Sequence, residues 1–395
     1  MAWRRPNGLW LFLVFVALVL AYTGASSLGL LDRATARLFP KSRQRVSLSS
    51  GDFPAGVSAP VGDIASVPLR PTLIGFTPRG SAASLLVAAG GVTSANPSAR
   101  SDRPPEGLFK TAYALEARAV VFAKEDELRR ALVLGSEKGG VDMAALSVDR
   151  LAQWGTGLRD ASPRVQLLLG RSRGQEALGA VSIKSLSELK GKRLAVCSQS
   201  TSYYFALWLL SRAGLGLKDV TWVELASALD AGTALREGRA DAAVGILGDV
   251  ELAARDRGGQ VLATSADAPH LLATVLVSRG DFAARYPDAV RRVLRGLLDA
   301  STSVLKDPGP AARMLGDVAP LLGDPAEAIR SAPPATLKDN LAFFGLEGEA
   351  PVTYDELFHS AAALFLKMGK SAAPPPVEET RDLGALRYVA EVRGP

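Results

Sequence analysis

The sequence predicts an α/β protein of about two lobes with largely parallel sheets, and three observations carry that expectation. Short apolar runs alternate with helical patterns at close spacing from "TLIGF" at residue 72 to "HLLATVLVSRG" at 270. A chain of 395 residues exceeds one ordinary domain. Small polar residues also gather behind four strand-like runs, at 77–81, 147–149, 198–203 and 245–249. Ligands of open α/β sheets collect beyond the carboxyl ends of strands, and four such clusters exceed what helix capping needs.

Along the chain, Arg4 and Arg5 precede a stretch without charge from 6 to 31. Its apolar part, 9–21, has the length of a signal-peptide core, and extended to 31 it is long enough for a bilayer span. Residues 1–31 are therefore expected as a signal peptide or membrane anchor, with "TGASS" offering small residues for cleavage. No Cys follows the apolar core, which argues against a lipid-modified terminus. Residues 32–70, rich in Ser, Pro and Arg, read as a tether. A strand at 72–76, a helix over "SAASLLVAAGG" and a loop at 92–107 come next. "LEARAVVFA" is a strand, "KEDELRRALVLG" a charged helix, and "GVDMAALSVD" and "PRVQLLLGRSR" are strands. "RLAV" before 197, "VTWVEL", "DAAVGILGD" and "QVLATS" continue the strand series between helices at 201–213 and over "ASALDAGTALREGRA". Residues 286–306 are helical, the chain to about 369 is helix and loop, and 371–395 is expected as a tail.

Composition narrows the function. The hydrophobic fraction of 48% supplies a sizeable core. The net charge of +6 is concentrated in Arg33, Arg37, Lys41, Arg43 and Arg45 against Asp32, with no aromatic residues interleaved, so nucleic-acid binding is not expected. Cys197 is the single cysteine and His270 and His359 are the two histidines, so neither a disulfide nor a multi-cysteine or zinc site is expected. "GSEKGG" and "GRSRGQ" lack the spacing of phosphate loops. No cofactor, metal or catalytic constellation is expected, and Cys197 reads as a buried structural thiol.

The stretch "CSQSTSYYFALWLL" poses the sharpest question. Ser198, Ser200, Thr201 and Ser202 cluster where a strand hands over to a helix. Hydroxyls there cap orphan backbone donors, and the same open N–H groups seat anionic ligands. The residues alone leave both readings open.

"IKSLSELKGKRLAVCSQSTSYYFALWLLSRAGLGLKDVTWVEL", followed by "ALREGRADAAV", resembles the periplasmic substrate-binding proteins of ABC transporters, type II, in their nitrate/sulfonate/taurine-like branch. "TLIGFTPRGSAASLLVAAGG" and "GGVDMAALSVDRLAQW" are similar to the same branch, and the likeness spans about 71–300. The resemblance implies a two-lobed fold with mainly parallel sheets and a hinge of two crossing strands. Lobe I would comprise 71–167 and 271–370, and lobe II 168–270. Position by position, it implies ligand contacts from Thr77, Arg79 and Gly80, from Ser147, from Ser200, Thr201, Ser202 and Tyr203, and from Gly248 or Asp249 opposite. Trp154 is a further aromatic near the site, with core packing as its plainer role. The implied function is capture of a small anionic or zwitterionic organic solute between the lobes and delivery to a transporter permease. The protein would be a non-enzymatic monomer in the periplasm or on the outer face of the cytoplasmic membrane. A ligand-sensing domain without a transporter, and an enzyme on the same fold, are the alternatives. The chain departs from the pattern in its Pro-rich 92–107 insertion, its long tether and the missing proline after "DAAVGIL".

Overall fold

Two sheets, each backed by helices, hold the strands of the computed structural model, which describes residues 67–93, 106–319, 323–369 and 374–393. The expected leader, the tether to residue 66 and residues 94–105 of the insertion lie outside the described residues. Among the described residues, no helix is long and apolar enough to cross a membrane.

The first sheet uses β1 (Thr72–Phe76), β2 (Val92–Thr93), β3 (Ala117–Val121), β4 (Met143–Ser147), β5 (Arg164–Arg171) and β11 (Ala273–Ser278) in the order β2-β3-β1-β4-β11-β5. Pairing is parallel from β2 to β4 and antiparallel where β11 joins β4 and β5. The second sheet uses β6 (Glu176–Ala180), β7 (Arg193–Val196), β8 (Thr221–Glu224), β9 (Ala242–Ile246) and β10 (Gln260–Thr264) in the order β10-β6-β9-β7-β8. Here β9, β7 and β8 are parallel, and β6 runs against both neighbours. In each sheet the strand entering from the other sheet, β6 or β11, is the antiparallel one. Every residue of β4 and β9 is buried, as expected of strands covered by helices on both faces.

The chain crosses between sheets twice, at 172–175 and at 265–272. The two crossings are tied together by hydrogen bonds. Ser172 and Ser265 hydroxyls lie 2.7 Å apart, and Ser265 Oγ also accepts the N–H groups of Gly174 at 2.9 Å and Glu176 at 3.2 Å. The first crossing therefore lies a few residues past the 167/168 limit read from the sequence, and the second contains the 270/271 limit. Lobe II is thus the sheet between the crossings with its helices, and lobe I the other sheet with its helices.

Three elements differ from the sequence reading. Val92–Thr93, at the start of the expected loop, adds an edge strand to β3. Glu176–Ala180, "EALGA", has weak strand propensity, yet it pairs on both sides and is wholly buried. Residues 374–393 are not a tail. A short turn at Val377–Thr380 leads into the helix Gly384–Arg393, which buries Leu386 and Val389 and packs on the long helix Pro287–Lys306.

Candidate functional site

The hydroxyl cluster lies at the carboxyl end of β7, where the helix Thr201–Arg212 begins, and its partners differ from one residue to the next. Ser200 is the N-cap residue with extended backbone, but its hydroxyl makes no capping bond. It donates instead to the Cys197 carbonyl at 2.8 Å. Ser198 gives its N–H and its hydroxyl to Glu224 Oε1, at 2.9 and 2.8 Å. Thr201 reaches across the cleft, its Oγ1 lying 2.6 Å from Ser147 Oγ of lobe I. The Ser202 hydroxyl is buried with no hydrogen-bond partner among the described residues. The open helix N-terminus is approached from the opposite lobe, where the Glu125 carboxylate accepts the Thr201 N–H at 3.3 Å.

Arg79 organises the lobe I side. It follows β1 and extends between two carboxylates, Glu125 at 2.8 Å and Glu176, which it also contacts. Glu176 opens β6 and accepts from Ser172 and Ser265, so one carboxylate joins Arg79 to both crossings. Burial alone lowers the Arg79 pKa, but Glu125 and Glu176 outweigh it and hold the guanidinium above its usual range. Burial pushes the Glu125 carboxyl up, only partly offset by Arg79 and Arg150. Both shifts are upward, which favours the charged guanidinium and the neutral carboxyl. The guanidinium stays charged because it faces two acids, and burial makes the Glu125 carboxyl easier to protonate than an exposed one.

A cavity of about 330 Å³ opens beside this network. Thr77, Arg79 and Glu125 wall it from lobe I, and Cys197, Ser200 and Glu224 from lobe II. A much smaller space of about 10 Å³ lies among Thr77, Arg79, Glu125, Ser147 and Thr201. The fold thus brings Thr77, Arg79, Ser147, Ser200 and Thr201 to one place. Five other residues expected there are placed differently. Ser202 is buried on the first turn of its helix and lines neither space. Gly80 is packed on the helix Pro325–Arg330, where a Cβ would lie 1.8 Å from the Ala328 carbonyl oxygen. Tyr203 is buried edge-on to Trp222, 5.5 Å between ring centroids, and burial pushes its phenol up to about 12. Gly248 is exposed. Asp249 does not line the cavity. Its Oδ2 accepts the Gly232 N–H at 2.7 Å within lobe II, and burial raises its carboxyl. Trp154 is buried, 6.0 Å from the guanidinium carbons of Arg129 and Arg150.

The sequence reading missed the acids. Glu125 sits in the first turn of the helix Glu125–Leu134, Glu176 in the unread strand and Glu224 at the end of β8. The signal available for Glu125 and Glu224 was position, since each stands just beyond or at a strand end. Arg150, fully buried on the helix after β4, also bridges the lobes by donating to Asp149 at 2.8 Å and to the Ser198 carbonyl at 3.3 Å.

Two mixed sheets joined by paired crossings, with a cavity between them, define an architecture shared with solved structures. The alkanesulfonate-binding protein SsuA of Xanthomonas axonopodis pv. citri, bound to MOPS, aligns with a TM-score of 0.56 at 19% identity over 78% of this chain and 96% of that one. The periplasmic nitrate-binding protein NrtA from Synechocystis PCC 6803 aligns at 0.60 and 14% over 82% and 90%. This chain has the periplasmic-binding-protein fold. Within that fold, residues 177–311 match the NMT1/THI5-like family model. The fold is not confined to binders, since the desulfurization enzyme DSZB aligns at 0.54 and 14% identity over 82% of this chain and all of that one, 100%. No curated protein matches the chain in sequence.

Proposed function

We propose that this protein is an extracytoplasmic solute-binding protein that takes a small polar solute, anionic or zwitterionic, between its lobes and delivers it to an ABC-transporter permease. The observation that carries this reading is the cavity of about 330 Å³, walled by strand-end residues of both sheets. Its size suits a small molecule. A solute touching Thr77 and Glu125 on one side and Ser200 and Glu224 on the other binds best when the lobes are together, so it shifts the population toward the closed form. Closure would also strengthen each hydrogen bond by removing water. The two tied crossings at Ser172 and Ser265 supply a pivot for that motion.

Delivery to a permease is supported by the likeness to a solved structure named as a putative sulfonate ABC transporter's periplasmic sulfonate-binding protein, from Methylobacillus flagellatus KT, and the uncharged 6–31 stretch supports export, by cleavage or anchoring. The favoured reading is binding without turnover in a monomer. Cys197, the single thiol, lines the cavity, but burial raises its pKa and suppresses the thiolate. DSZB keeps the enzymatic alternative in view, and a sensing domain without a permease remains a second form of the binding reading.

The test is a thermal-shift screen of the full chain against sulfonates, nitrate, amino acids and amines, followed by calorimetry on any hit. A true solute at a hundredfold excess over its Kd stabilises by about 2.7 kcal/mol. One-to-one binding with the solute recovered unchanged is the expected result. Chemical conversion of the solute would replace the binder with an enzyme, and silence across the whole screen would remove the solute-binding reading.

A further inference from the structure

The charges around the cavity bear on the kind of solute it takes. Its lining holds three basic side chains, Arg79, Lys124 and Arg130, and four acids, Glu125, Asp126, Glu127 and Glu224. Two of the cations are already engaged. Arg79 is held by Glu125 and Glu176, and Arg130 pairs with Asp126 at 3.1 Å. Lys124 is exposed, where hydration weakens its pull on an anion. The helix N-terminus at Thr201, an ordinary anion seat, already faces a carboxylate of the protein itself.

The acids, by contrast, keep acceptor capacity. The Glu125 side chain is only 9% exposed and lines both cavities. Its Oε1 takes the bonds from Arg79 and Thr201, while Oε2 is buried with no hydrogen-bond partner among the described residues. A buried carboxylate oxygen left without a donor is costly, and a donor supplied by a ligand relieves that cost. On the facing lobe, both Ser198 bonds to Glu224 fall on Oε1.

We infer that the solute carries a protonated amine or amidine head, seated between Glu125 of lobe I and Glu224 of lobe II. This rests on the solute-binding reading above, keeps its zwitterions, drops its purely anionic members and admits simple cations. The head donates to Glu125 Oε2 and to the Glu224 carboxylate, and so bridges the lobes. A purely anionic solute meets an excess of carboxylates, with Arg79 already engaged.

The experiment is calorimetry on the full chain with matched probes that differ by an amine: taurine against ethanesulfonate, β-alanine against propionate, with agmatine as an amine that carries no acid. The amine-bearing member of at least one pair, or agmatine, is expected to bind at least about tenfold tighter than the amine-free probes, as charge-assisted donors to carboxylates do. Glu224→Gln, on the more exposed wall, should reduce that preference by about tenfold, and Glu125→Gln by at least as much. Melting curves without probe separate loss of fold from loss of the seat. Equal or tighter binding of ethanesulfonate or propionate overturns the inference while leaving solute binding standing. Binding of none of the five probes also overturns it, and the broader screen then decides the solute-binding reading on its own.

Discussion

Two helices of this protein begin with the same local grammar and end up in different roles. Thr353, ahead of the helix Tyr354–Lys367, closes its own helix end. Its hydroxyl accepts the Glu356 N–H at 3.4 Å, and the Glu356 carboxylate accepts the Thr353 N–H at 2.8 Å. Ser200, ahead of Thr201–Arg212, has a similarly extended backbone but turns its hydroxyl to the Cys197 carbonyl. Its helix end is left to a carboxylate from the other lobe, Glu125. The difference teaches that a hydroxyl at a helix start marks an available cap, while the surroundings determine whether the cap is used. Away from the cleft the helix completes itself. At the cleft it remains open to whatever the facing lobe or a solute presents.

Four substitutions break or sharpen that contrast. The largest effect belongs to Arg79→Ala, which leaves Glu125 and Glu176 buried without their cation and should cost about 3–5 kcal/mol in urea unfolding. A loss below about 1 kcal/mol would mean that the hinge acids find compensation elsewhere.

Glu125→Gln keeps an acceptor for Arg79 and removes a buried charge, so the two effects oppose and the net change near neutral pH should stay within about 1 kcal/mol. Its clearer signature is in pH. Burial raises the folded-state pKa of Glu125 above the ordinary 4.5, so the folded protein holds that proton more tightly than the unfolded chain. Stability from this group is complete below 4.5 and is lost as pH rises through the raised value. The variant should flatten that decline, and an unchanged slope of urea stability against pH would falsify the assignment.

Thr353→Ala removes a working cap and should cost about 1 kcal/mol, with no change in probe affinity. Ser200→Ala removes no cap and should cost only about 0.5 kcal/mol, the low end for a neutral hydrogen bond. If the two alanine variants melt alike, the distinction between the helix ends disappears.

The fold was legible because burial writes periodicity into sequence. β9 is an unbroken apolar run, β1 and β4 are apolar but for Thr72 and Ser147 at their ends, and the helix Pro287–Lys306 alternates buried Val293, Leu294 and Leu297 with polar residues. β6 was not legible, since "EALGA" gains its strand character only from β9 and β10 on either side. The candidate site was legible in part. Thr77, Arg79, Ser200 and Thr201 follow strands and Ser147 ends one, so sheet geometry points each set to the carboxyl edge of its own sheet, and the fold brings the two edges together. Tyr203 and Asp249 obey the same positional rule, but Trp222 and Gly232 engage them inside lobe II.

Hydrophobic spacing along the chain therefore fixed two α/β lobes and the strand ends from which a cleft is built, because burying apolar surface depends on patterns a few residues long. Which charges meet in that cleft was decided only by the folded whole. Glu125 is 46 positions from Arg79, and Glu176 is 97. Electrostatic pairing acts through space, and nothing in the local sequence records who will be near.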